Sequence, residues 1–290
     1  MMRPHVEFML IIQYFTWKTT KFIIFFRISK KACNLWKKFL SLINKFTKMK
    51  RNKFLLLIIL ATALVTSCDS FRCIEGSGSI ERVSRGFSNF DGVNMRGSFD
   101  VYIEQNDNNE YSIEIEADKN FLPYIDTEVG NNKLEIGTVN GHCLNGDRVI
   151  VYVKLPELVS VSLTGSGYVD VNCNKLYNNR LAISNAGSGE ISVSGINTDE
   201  MHTHLSGSGL IKLSGVTSIH HVDVSGSGEI QSFPLDSDQT YAGMNGSGTM
   251  YVFAYNYLEA VITGSGSVFY RGNPELHSIL SGSGHVINSN

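Results

Sequence analysis

The segment Val161-Ser162-Leu163-Thr164-Gly165-Ser166-Gly167-Tyr168-Val169-Asp170-Val171 carries apolar residues at alternate positions on both sides of a Gly-Ser-Gly triplet. A period of two belongs to a strand with one buried face, whereas a helix would repeat every 3.6 residues. The triplet recurs, with its first glycine at Gly76, Gly165, Gly187, Gly207, Gly226, Gly246, Gly264 and Gly282. From Gly165 onward the spacings are 22, 20, 19, 20, 18 and 18 residues. A repeat near twenty residues predicts a solenoid of stacked rungs. Met95-Arg96-Gly97-Ser98-Phe99 is a degenerate copy.

The flanks of the triplet repeat with it. Two residues before the first glycine stand Leu163, Asn185, Leu205, Val224, Met244, Ile262 and Leu280. Four before stand Val161, Ile183, Thr203, Val222, Ala242, Ala260 and Ser278. Four after stand Val169, Ile191, Ile211, Ile230, Met250, Val268 and Val286, all apolar. Both glycines share the parity of the apolar positions, so they face inward or sit where the strand bends toward the next wall. The serine between them points outward. Stacking then aligns Ser166, Ser188, Ser208, Ser227, Ser247, Ser265 and Ser283 into one exposed ladder, the expected binding surface together with Tyr241.

Gly-Ser runs also mark flexible linkers, but linkers do not keep an apolar alternation on either side. Gly-x-Gly also begins nucleotide-binding loops, yet no triplet is followed by the third glycine or lysine and the helix such a loop needs. Nucleotide binding is therefore not expected. Residues 98–160 read as β but less regular: Phe99, Val101 and Ile103 alternate, as do Tyr111, Ile113 and Ile115. Asn106-Asp107-Asn108-Asn109 reads as a hairpin turn joining those two strands, and Gly130-Asn131-Asn132 as another turn before Leu134 and Ile136. Val149, Val151 and Val153 follow, ended by Pro156. The fold class expected is all-β: a parallel β-helix-like solenoid with Gly-Ser-Gly rungs of about 18–22 residues, preceded by an irregular β region.

The amino-terminal part reads as processing signal. Met49-Lys50-Arg51-Asn52-Lys53 is a basic n-region, and residues 54–65 form an apolar run too short to span a bilayer as a helix. Val65-Thr66-Ser67-Cys68 then resembles the lipobox of bacterial lipoproteins, in which the thiol of Cys68 takes a diacylglycerol. The expected organisation is an extension at 1–48, read as an early start, a lipoprotein signal at 49–67, a tether at 68–85 and the solenoid domain at 86–290. The alternative for 1–48 is an amphipathic or membrane-inserted leader. Beyond Cys33 and Cys68, an odd number of cysteines remains: Cys73, Cys143 and Cys173. They admit one disulfide of undetermined partners, or buried thiols acting as small apolar groups.

Charge divides at the same point. Residues 1–67 hold thirteen Lys/Arg and a single acid, Glu7, while residues 68–290 hold twelve Lys/Arg against twenty-six Asp/Glu, a balance of −14. An acidic body without a basic patch argues against nucleic-acid binding.

Several of these features occur together in one family. Cys68 in its lipobox, Phe90-Asp91-Gly92-Val93, Gly97-Ser98-Phe99-Asp100-Val101-Tyr102-Ile103, the Gly-Ser-Gly rungs and the closing Tyr270-Arg271-Gly272-Asn273-Pro274 resemble the auto-transporter adhesin head, GIN domain family. The resemblance covers roughly residues 86–290. It implies an all-β, parallel β-helix-like fold in secreted or surface proteins, and it supplies no catalytic residues.

Candidate chemistry is sparse. A polysaccharide-degrading β-helix enzyme, the alternative function, needs paired acids; Asp199-Glu200 and Asp236/Asp238 are the candidates, in loops where acids are commonly just solvated. A calcium ladder needs a repeated Asp, but the residue three after each first glycine runs Tyr168, Glu190, Leu210, Glu229, Thr249, Ser267, His285. His202 and His221 each precede a triplet by five residues and should stack outward on adjacent rungs, with His204 two along on the same face. Three nearby imidazoles form a candidate Zn²⁺ or Cu²⁺ set, though chance surface histidines are the commoner case. Tyr241, Tyr251, Phe253, Tyr255 and Tyr257 make an aromatic-rich rung that either faces solvent or alternates into the core. The expected function is non-catalytic: a lipid-anchored protein of the cell envelope, at the outer membrane, with an adhesin-like binding or structural role. No cofactor is expected. The partners that fit are the membrane through the N-terminal lipid, and a glycan or envelope protein.

Overall fold

Parallel pairing of successive copies of the Gly-Ser-Gly segment organises the molecule. The computed structural model describes residues 8–17, 20–29, 73–139, 142–146 and 149–290. It divides into two units, residues 1–71 and 72–290. In the first unit Phe8–Trp17 and Thr20–Ser29 pair antiparallel. The segment read as a signal, 49–67, together with Cys33 and Cys68, the expected lipid-anchor residue, lies outside the described residues.

In the second unit each rung pairs in parallel with the next, and the triplets fall in register. Gly165 pairs with Gly187, Gly187 with Gly207, Gly207 with Gly226, Gly226 with Gly246, Gly246 with Gly264 and Gly264 with Gly282. Six turns of a parallel β-solenoid result, as the period of the sequence implies. Burial shows how a turn is built. Around one turn the buried positions run Ile191, Val193, Ile196, Thr198, Met201, Thr203, Leu205 and Gly209. The step of two breaks after Val193, Thr198 and Leu205, so three short walls meet at three corners, the third being the triplet.

At that corner the first glycine has φ between 121° and 137° in Gly165, Gly207, Gly226, Gly246, Gly264 and Gly282. Only glycine adopts such a backbone readily. A Cβ there would also run into the preceding rung's glycine carbonyl, 2.6 Å away at Gly226. The serine N–H donates to that same carbonyl, for example Ser227 to Gly207 O at 2.9 Å. So the bend-toward-a-wall alternative describes the first glycine, and the second glycine is buried.

The columns between corners form the core. Val169, Ile191, Ile211, Ile230, Met250 and Val268 are fully buried and stack in register. Each buried aliphatic side chain contributes about 1.5–3 kcal/mol through its removal from water. Polar residues interrupt two columns. Asn185 stands between Leu163 and Leu205, fully buried, with its Nδ2 donating to Gly189 O at 2.7 Å. His220 stands between Met201 and Thr240, with its Nε2 3.0 Å from Thr203 Oγ1. At the far end Leu276 and Leu280, in interior columns, are 41% and 50% exposed, because they belong to the last described rung.

The amino-terminal β region is continuous with the solenoid, but its order differs from its sequence. Gly92–Gly97 and Asp100–Gln105 make a rung with the degenerate Gly97 at its corner. On one side this rung pairs with Ser160–Gly165 and Tyr168–Asn172. On the other it pairs with Lys133–Thr138 and Ile150–Leu155. A segment later in sequence thus lies beneath it. Ile150–Leu155 also pairs antiparallel with Ser112–Asp118. The expected hairpin through Asn106–Asn109 is therefore not formed, because a parallel neighbour occupies the edge of Asp100–Gln105 where the return strand would have paired. The second turn holds: Ile125–Gly130 and Lys133–Thr138 form a hairpin closed by Asn131 and Asn132, both at positive φ.

Residues 73–85, expected to be tether, are held in this region. Ile80–Arg85 pairs antiparallel with Ser112–Asp118, Ile74–Glu75 pairs with Leu144–Asn145, and a disulfide joins Cys73 to Cys143. Cys173 stays a buried free thiol whose pKa burial pushes up to about 12. Both readings of the cysteines thus apply, each to different residues.

Candidate functional site

Outward-facing side chains stack as regularly as inward ones, since rungs lie about 4.8 Å apart. Ser166, Ser188, Ser208, Ser227, Ser247, Ser265 and Ser283 are all exposed and form a continuous column beside the glycine corner. The aromatic-rich rung faces out throughout: Val252 and Ala254 fill the core, while Tyr251 and Phe253 are half-buried and Tyr255 is exposed. Phe233, Tyr251 and Phe269 form one outer aromatic column, with centroids 5.3 and 5.1 Å apart and the Arg271 guanidinium 4.2 Å from the Phe233 ring. Tyr152 and Tyr102 stack at 5.6 Å in another.

A third column holds the titratable groups. In-register pairing runs Ala182, His202, His221, Tyr241, Glu259. The His202 and His221 rings stack at 4.8 Å and 18°, and His221 stacks on Tyr241 at 5.0 Å and 15°. Glu200, two residues before His202 and therefore on the same face, reaches the pair. Its Oε1 lies 2.7 Å from His202 Nε2 and 3.6 Å from His221 Nε2. The bond with His202 holds the Glu200 carboxyl below its usual pKa. Arg180, one rung below Glu200, places Nη2 3.0 Å from His202 Nε2. Beneath the column, burial lowers the pKa of His220 to about 3, with a smaller push from the charges of His221 and His202. His220 is therefore neutral at ordinary pH.

Of the three histidines singled out from sequence, the structure brings His202 and His221 together. His204 lies on the same face but is exposed, in register with Ser184 and Asp223. From sequence alone Glu200 reads as a solvated acid. The signal that would have joined it to the histidines is its parity with His202. Asp199 accepts a hydrogen bond from Tyr177 Oη at 2.6 Å. Asp236 and Asp238 line a shallow depression with Phe253 and Tyr255, and Asn256 donates to Asp238.

The family model described as "Putative auto-transporter adhesin, head GIN domain" matches residues 89–274. The crystal structure of a "putative adhesin" from Bacteroides fragilis is similar to this chain with a TM-score of 0.70 and 21% identity, covering 74% of this chain and 100% of its own. That of a "Putative lipid binding protein" from Parabacteroides distasonis gives 0.64 and 26%, with 76% and 100% covered. A third, a "putative adhesin" from Parabacteroides merdae, gives 0.60 and 21%, with 75% and 99% covered. No curated protein matches the chain.

Proposed function

Since the chain belongs to the auto-transporter adhesin head, GIN domain family, we propose that it is a non-catalytic binding protein of the cell envelope, held at the outer membrane by a lipid on Cys68. The observation that carries this reading is the set of outer columns. Serine hydroxyls and half-exposed aromatic rings repeat at rung spacing on a backbone held by continuous parallel pairing. Such a surface is pre-organised, so little side-chain entropy is lost on binding. Aromatic faces stack on sugar rings, and hydroxyls and carboxylates bond sugar hydroxyls. The depression formed by Asp236, Asp238, Phe253 and Tyr255 fits that chemistry best, and a glycan is the ligand class it suits.

The carbohydrate-active enzyme remains the second reading, because the same depression holds two carboxylates. Glycan-array binding by the purified chain separates the two. Saturable binding that weakens in Tyr255→Ala, with no release of reducing ends, supports the binding protein. Reducing ends that vanish in Asp238→Asn would establish the enzyme. The envelope location is tested separately: protease added to intact cells should remove the domain, and Cys68→Ser should release it from the membrane fraction. A domain resistant to shaving, or a Cys68→Ser variant still in the membrane, would overturn that part.

A further inference from the structure

Glu200, His202 and His221 converge from two adjacent rungs, and their ligand atoms all lie within 4.8 Å of one another. We propose that these three side chains bind one divalent transition-metal ion of the zinc type, which ties the two rungs together on the outer face of the solenoid. Two imidazoles and a carboxylate are a donor set that suits Zn²⁺, with the fourth position left to water.

The polar contacts around His202 support this. Its Nε2 lies 2.7 Å from the Glu200 carboxylate and 3.0 Å from the Arg180 guanidinium. A ring nitrogen carries either a proton or a lone pair. With the proton it suits Glu200 and opposes Arg180; with the lone pair it suits Arg180 and opposes Glu200. A cation accepting electron pairs from both Nε2 and Oε1 resolves the conflict. Arg180 is exposed and its long side chain is free to leave.

Geometry requires one adjustment. Zinc–nitrogen bonds of about 2.0–2.1 Å in a tetrahedron place ligand atoms about 3.3 Å apart. Glu200 Oε1 is already near this range from both rings. The two rings are stacked, so their in-plane lone pairs run side by side and must pivot to converge. Both rings are half-exposed, which leaves room for that pivot. His204 is not a ligand.

The test uses the full chain without a polyhistidine tag, stripped with chelator and titrated with Zn²⁺ against a Mg²⁺ control. The expected result is saturable uptake of one Zn²⁺ per chain, with Tm rising by roughly 5 °C at a hundredfold excess over Kd. His202→Ala and His221→Ala should each weaken binding by more than about tenfold, the lower bound for losing even an outer-sphere partner. Glu200→Gln should weaken it too, His204→Ala should leave it unchanged, and Arg180→Gln should tighten it by removing a competing cation. Circular dichroism matching the parent shows that the variants fold. Absence of saturable uptake, uptake preserved in the folded His202→Ala/His221→Ala double variant, or dependence on His204 would overturn the proposal.

Discussion

The same tripeptide does two different jobs in two regions of the domain. Gly226-Ser227-Gly228 is a corner of the solenoid: its first glycine sits at φ 132° against the carbonyl of Gly207, and its second is buried against Leu205. Gly76-Ser77-Gly78 stacks on no rung. It wraps the buried carboxylate of Asp118, whose Oδ1 accepts from the Gly78 N–H at 2.6 Å and from Ser77 Oγ at 3.3 Å. There one backbone amide and the serine hydroxyl hold a carboxylate. Gly78 has a positive φ of 72° but open space around it. What differs is therefore the neighbour: backbone of an identical rung in one case, a side chain from a different strand in the other.

The sharpest way to break this contrast is to add a methyl group. Gly226→Ala combines an unfavourable φ with an immovable carbonyl and should cost more than about 4 kcal/mol, read as loss of the cooperative transition in thermal unfolding. A variant within 1 kcal/mol of the parent would mean the corner has room that the structure denies. Next in size is the amino-terminal end. The Cys73–Cys143 bond closes 70 residues of chain, and Cys73→Ser/Cys143→Ser should lose about 3 kcal/mol in denaturant titration.

His220 comes third and belongs to the regular rungs. Unfolded, it binds a proton near 6.5; folded, only near pH 3. Between those values the unfolded state holds more protons, so this histidine's share of stability is complete above pH 6.5 and shrinks as pH falls. Moving from pH 7 to pH 5 should remove about 2 kcal/mol, and His220→Gln should flatten that slope. An unchanged slope in the variant would assign the pH dependence to other groups. Smallest is Gly78→Ala, where only the φ penalty applies; about 1 kcal/mol is expected. If Gly78→Ala proved as damaging as Gly226→Ala, the two triplets would not differ as described.

Where the chain repeats, it was legible. Parity alone located the columns that hold Val169 to Val268 and the exposed serines, because a rung's neighbour is another copy of itself. Where it does not repeat, parity identified strands but not partners. Nothing local in Asp100–Gln105 tells whether its edge meets the returning Ser112–Asp118 or the later Ile150–Leu155, and the structure takes the later one. In sequence Gly76 looks like the other triplets for the same reason: composition does not reveal the carboxylate of a residue about forty positions on. The histidine column was half legible. Equal offsets from the triplet aligned His202 and His221, but the contribution of Glu200 and Arg180 depends on where side chains reach across rungs.

Gly92–Gly97 lies between Lys133–Thr138 on one side and Ser160–Gly165 on the other, both of which follow it in the chain. A polypeptide emerging amino end first, from a ribosome or any pore, therefore delivers this strand long before either of its neighbours exists. Winding cannot proceed as a zipper from the leading end. The trailing rungs, each made next to its own successor, have no such delay, so the part of the protein that appears last is the part best placed to order first.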